Sequence, residues 1–95
     1  MYIAMRRYKI KAGSLDEITR RAEQGFVPLV SQIPGFVANY AVDVGNDVVV
    51  TISIFQDQAG EEESTRRAAD WVKQNVAEFI EGGVEVTAGQ VKWPS

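Results

Sequence analysis

Between residues 2 and 11, polar positions alternate with β-favouring ones such as Tyr2, Ile3, Tyr8 and Ile10, which predicts a first strand. Gly13 breaks that pattern. Ser14 followed by Glu17 has capping-box spacing, in which the hydroxyl takes a helix N–H and the carboxylate reaches back. From there Leu15, Ile18, Ala22, Phe26 and Leu29 recur at intervals of three and four, the period of a helix with one apolar face. Gly25 and Pro28 strain its end, since Pro28 has no N–H for the carbonyl four residues back. A kink near Pro28 is expected, with termination before Pro34-Gly35.

Residues 36–44 and 48–55 are β-rich runs joined through Gly45-Asn46, a hairpin signal. With Gly45 and Asn46 as a two-residue loop, Val44 faces Asp47. Phe36 then opposes Phe55, Ala38 opposes Ser53, Tyr40 opposes Thr51 and Val42 opposes Val49. The other face carries Val37, Asn39, Ala41, Val48, Val50, Ile52 and Ile54. Both faces are substantially apolar, whereas a sheet with one wet face should alternate cleanly. One layer of helices covers one face only. A second copy of the chain is the most economical cover for the other.

A second helix is predicted over residues 61–80, with Ala68, Val72, Val76 and Phe79 on its apolar stripe and Trp71 at the stripe's edge. Glu61, Glu62 and Glu63 read as a solvated start that suits the helix dipole. Gly82-Gly83 ends the helix, and residues 84–93 form a last strand with a bulge at Gly89. The order is βαββαβ, and the tight central hairpin favours the split arrangement. The expected fold class is α+β, ferredoxin-like: a four-stranded antiparallel sheet with two helices on one face.

Composition narrows the chemistry. Ninety-five residues make one domain, spanning 1–95. The chain has neither cysteine nor histidine, which excludes thiolate or imidazole metal ligands, cysteine nucleophiles and a Ser-His-Asp triad. A net charge of −3 argues against nucleic acid, whose phosphates demand a basic surface. Arg6 and Arg7 interrupt the N-terminus before an apolar signal core can form, and no run approaches the roughly 18 apolar residues of a membrane span. A cytoplasmic protein without a membrane partner is expected.

The whole-chain pattern resembles the dimeric α+β barrel superfamily, and within it the antibiotic-biosynthesis-monooxygenase-like domains. The residues that carry the likeness are Gly25-Phe26-Val27-Pro28-Leu29, Ile33-Pro34-Gly35-Phe36, Tyr40, Phe55-Gln56-Asp57 and the run from Glu63 to Val72. The resemblance implies a homodimer packed through its sheets. It also implies a possible activity, cofactor-independent monooxygenation of a small electron-rich aromatic such as a polyketide or quinol. No cofactor and no metal are then needed. The alternative is a non-catalytic small-molecule-binding or structural homodimer of the same fold. Haem degraders of this superfamily use a helix histidine to hold iron, and this chain has none.

By the same resemblance, the substrate lies between helices and sheet, against tryptophan, tyrosine, asparagine and arginine. The matching catalytic candidates are Tyr40, Trp71 and Arg6, and the matching ligand-binding candidates are Asn39, Thr51, Ser53 and Arg7. In the two-residue-loop register, Tyr40, Thr51 and Ser53 share one face and place hydroxyls on an apolar wall, as a ligand pocket requires. Asn39 falls on the other. Arg6 and Arg7 are neighbours in a strand, so only one enters any given pocket. That arginine either binds an anionic ligand oxygen or pairs with Glu23 or Asp70.

Overall fold

The first strand, β1 (Tyr2–Ile10), buries Ala4, Arg6, Tyr8 and Ile10 and exposes Met5, Arg7 and Lys9. This period of two is that of a strand with one face covered. The structure, a computed structural model, describes residues 1–93.

The first helical rod comprises α1 (Leu15–Arg21), a π turn (Ala22–Phe26) and α2 (Val27–Ser31). The irregularity expected near Pro28 is this wider turn just upstream, where the Val27 N–H reaches back to the Ala22 carbonyl. A wider turn relieves the clash between a proline ring and the carbonyl four residues back. The capping box does not form. The Ser14 hydroxyl instead donates to the Lys11 carbonyl at 2.6 Å. Arg20 and Arg21 take the Glu17 carboxylate at 2.5 and 2.7 Å and hold its pKa down to about 2.

β2 (Phe36–Gly45) and β3 (Val48–Phe55) form the central hairpin, and its register corrects the expectation. Phe36 does oppose Phe55, but a bulge at Val37 and another at Val44 each add a residue to β2. Asn39 therefore opposes Ser53, Tyr40 opposes Ile52, and Ala41 opposes Thr51. The turn residues are Asn46 and Asp47, both at positive φ (56° and 58°), rather than Gly45 and Asn46. A one-residue slip moves every side chain to the opposite face. It carries Tyr40 away from the helices and Asn39 towards them.

α3 (Gln58–Asn75) starts before the expected position because the Asp57 carboxylate accepts the Gly60 N–H at 2.8 Å. It also stops earlier. A 3-10 turn follows, and then Ile80 opens β4 (Ile80–Gln90) opposite Ile10. Gly82-Gly83 thus lies within the strand instead of ending the helix. The bulge expected at Gly89 sits here, between the Lys9–Glu81 and Arg7–Glu85 pairs, with Gly82 at φ 73°.

The antiparallel sheet has the order β2-β3-β1-β4 with the helices on one face, which is the ferredoxin-like fold. Two apolar clusters lie under the helices. One gathers Phe26, Val30, Ile33, Phe55 and Ala68, and the other Tyr8, Ile10 and Val49. The opposite sheet face carries Met5, Tyr40, Val42 and Val44, all substantially exposed, beside the half-covered Val50 and Ile52. No helix among the described residues is long and apolar enough to cross a membrane.

Candidate ligand cavity

Between the first helical rod, α3 and the sheet lies a cavity of about 350 Å³ at the junction of the two apolar clusters. Its wall is mostly apolar. Tyr8, Asn39 and Thr51 line it from the sheet, with the Thr51 hydroxyl itself buried, Trp71 lines the α3 side, and Glu23 and Asp43 are also in the lining. A largely apolar hollow with a few convergent polar groups is the usual form of a small-molecule site.

Trp71 packs against Phe26, ring centroids 5.6 Å apart and tilted by 55°. The π turn positions this pair. A Cβ built on Gly25 would sit 2.9 Å from Trp71 Nε1, so only glycine lets the indole lie this close to the helix backbone. Gly25→Ala gains up to about 1 kcal/mol in helix propensity, but overpacking of this kind costs about 1–3 kcal/mol. The urea midpoint is therefore expected to fall, and a rise would contradict the close approach.

Arg6 and Arg7 separate as the strand period requires. Arg7 lies on the exposed outer face, away from the cavity. Arg6 is only 2 % exposed and lies beneath α3. Neither expected carboxylate, Glu23 or Asp70, pairs with it. Its Nη1 donates to Ser53 Oγ at 3.2 Å, and its Nη2 donates to Ser64 Oγ at 3.0 Å and Thr65 Oγ1 at 3.3 Å. Thr65 in turn donates to the Glu61 carboxylate at 3.2 Å, so the counter-charge arrives through a hydroxyl. Glu61 is accordingly buried, which corrects its reading as a solvated helix start. Arg6 Nε has no partner among the described residues. Burial lowers the Arg6 pKa, partly offset by Tyr8 and Glu61.

Burial also raises the Tyr8 pKa, partly offset by Arg6 and by the nearby Thr51 hydroxyl, so the phenol remains a neutral donor. Thr51 Oγ1 is itself buried without a hydrogen bond of ordinary geometry. Ser53, fully buried, donates to Asn39 Oδ1 at 2.9 Å.

Of the candidate residues, Trp71, Asn39 and Thr51 meet in the cavity wall, with Ser53 and Arg6 directly behind Asn39. Tyr40 does not join them. It is 57 % exposed on the other side of the sheet, where the bulge at Val37 has turned it. The tyrosine in the wall is Tyr8, which sequence reasoning used only as a strand former. Its place two residues from Arg6 on one strand face was the available signal.

The subunit fold is shared with crystallised antibiotic biosynthesis monooxygenases, as the resemblance in the sequence implied. The chain is similar over 96% of its length to a crystallised antibiotic biosynthesis monooxygenase, with 98% of that chain covered, 16% identity and a TM-score of 0.74. It is also similar to SnoaB, a cofactor-independent oxygenase from Streptomyces nogalater, with coverage of 98% and 94%, 10% identity and a TM-score of 0.72. A protein of unknown function from Nitrosomonas europaea aligns over 99% and 94% of the two chains, at 18% identity and a TM-score of 0.77. No family model matches the chain, and no curated protein matches it.

Proposed function

We infer that the protein is a homodimer, paired through its outer sheet face, and that each cavity binds a small planar aromatic which it oxygenates without a cofactor. The observation that carries this reading is the apolar cavity bounded by Trp71, with Tyr8 and Asn39 at its sheet side. In this chemistry the electrons come from the substrate. An activated methylene or phenol loses a proton, and the resulting anion reduces dioxygen. One oxygen atom ends as a new carbonyl on carbon, and the other leaves as water with the two hydrogens removed. The protein contributes orientation and hydrogen-bond donors to the developing anion. Here those donors are the Tyr8 phenol and the Asn39 amide, since Tyr40 faces the other way and Arg6 does not line this cavity.

A non-catalytic ligand-binding dimer is the second reading, and one observation favours it. The cavity wall holds two acids, Glu23 and Asp43, and no lysine or arginine among the described residues, so it suits a neutral guest. Oxygen uptake with an anthrone separates the two readings. Under the oxygenase reading, one dioxygen is consumed per carbonyl formed, above the rate without protein. Tyr8→Phe should then slow turnover about tenfold to hundredfold, the worth of a hydrogen bond to a charged group. Binding without uptake leaves the ligand-binding dimer.

A further inference from the structure

Asn39 is a symmetric-looking group in an asymmetric setting. Its amide offers an acceptor on one side and a donor on the other, and a ligand meets whichever side faces the cavity. The buried groups behind it decide which. Arg6 is donor-only, so the contact at 3.2 Å makes Ser53 Oγ an acceptor on that side. The Ser53 hydroxyl proton must then go elsewhere, because a fully buried hydroxyl seldom leaves its proton unshared. The acceptor that takes it is Asn39 Oδ1 at 2.9 Å. With Oδ1 engaged inside the sheet, the part of the side chain free for the cavity is the Nδ2 amino group.

We propose that the relay from Arg6 through Ser53 fixes Asn39 as a donor to the cavity, and so selects aromatic guests bearing a hydrogen-bond acceptor, a ketone or quinone oxygen, at that position. The relay deepens the reading of the cavity as an aromatic-ligand site and rests on it. Arg6 is a positioning residue here: its guanidinium lies behind the wall and acts through Ser53. Thr65 and Glu61 hold the guanidinium from the other side, so the network has one sense of donation from Arg6 to the cavity. A ketone oxygen completes that sequence, whereas a phenol oxygen accepts more weakly and brings a proton that needs an acceptor of its own.

Equilibrium dialysis with three probes of similar shape tests the assignment: naphthalene, 1-tetralone and 1-naphthol. The wild-type protein should bind 1-tetralone about threefold to tenfold more tightly than 1-naphthol, the worth of one net neutral hydrogen bond. In Asn39→Asp the oxygen facing the cavity can only accept, so the preference should reverse, with each affinity read relative to naphthalene in the same variant. Ser53→Ala frees the amide to turn, and the ratio should approach one. Should Ser53→Ala fail to fold, Asn39→Asp alone decides, because Asn39 lies at the half-buried end of the network. Naphthalene binding with a tetralone-to-naphthol ratio that Asn39→Asp does not move would overturn the relay and leave the aromatic site standing. Failure of all three probes to bind the wild type would overturn both.

Discussion

Phe55→Ala is expected to remove about 3–5 kcal/mol of stability, the usual cost of truncating a fully buried phenylalanine. Phe55 has no exposed surface, meets Phe36 edge to face at 5.8 Å, and belongs to the cluster with Phe26, Val30 and Ile33. The surroundings cannot easily collapse into the space it would leave. A Cβ built on Gly60 would stand 2.8 Å from Phe55 Cδ1 and 2.9 Å from the Pro34 carbonyl oxygen, so the first turn of α3 is already seated on the ring. Domains of this size have about 5–15 kcal/mol in total, so this single change consumes a large share. Urea unfolding should show a lower midpoint with an unchanged slope. A loss below about 1 kcal/mol would mean that Phe55 is not the centre of this cluster.

Ile52→Asp should act on assembly and leave the subunit folded. Ile52 lies on the outer face between Met5 and Tyr40, so a carboxylate there is solvated in a lone subunit and buried unpaired in a dimer. A hot-spot residue costs at least about 2 kcal/mol when truncated, so with Ile52 in that role dimer affinity should fall by about thirtyfold or more. Sedimentation at micromolar concentration should change from twice the chain mass to the single chain, with the far-ultraviolet dichroism preserved. A wild-type protein that sediments as a single chain would contradict the paired-sheet reading.

The fold was legible because its periods are long and repeated. Leu15, Ile18, Ala22 and Phe26 mark one helix, Ala68, Val72 and Val76 the other, and the β-rich runs on either side of residues 45–47 announce the hairpin. The α3 end was misread because Phe79 and Ile80 continue a helical pattern, while pairing with β1 draws Ile80 into the sheet. Long-range pairing of that kind leaves no local trace. The site was less legible, and the cause is local. Two single-residue bulges in β2 left both ends of the hairpin looking ordinary and exchanged the faces of everything between them. Tyr40 and Asn39 traded places on that account. Arg6 and Arg7 stayed unresolved because Ile3 and Met5 make the outer face of β1 nearly as apolar as the inner one. Ser64 and Thr65, which hold Arg6 in place, come from a helix far away in the chain, and no spacing rule joins them to it.

The interrupted outer strands also bear on aggregation. β2 and β4 are the two edges of the sheet, where unpaired N–H and C=O groups invite a further strand. Each edge is broken, β2 at Val37 and Val44, and β4 around Gly82 and Gly83 between the exposed Glu81 and Glu85. A neighbouring molecule adding along either edge loses its hydrogen-bond ladder wherever the chain bulges, so growth of an endless sheet is unfavourable. The outer face presents side chains rather than unpaired backbone groups, so a two-fold pair formed through it would cover Met5, Tyr40, Val42, Val50 and Ile52 together. Under the proposed pairing, an apolar outer face beside two broken edges favours a closed pair over a fibre.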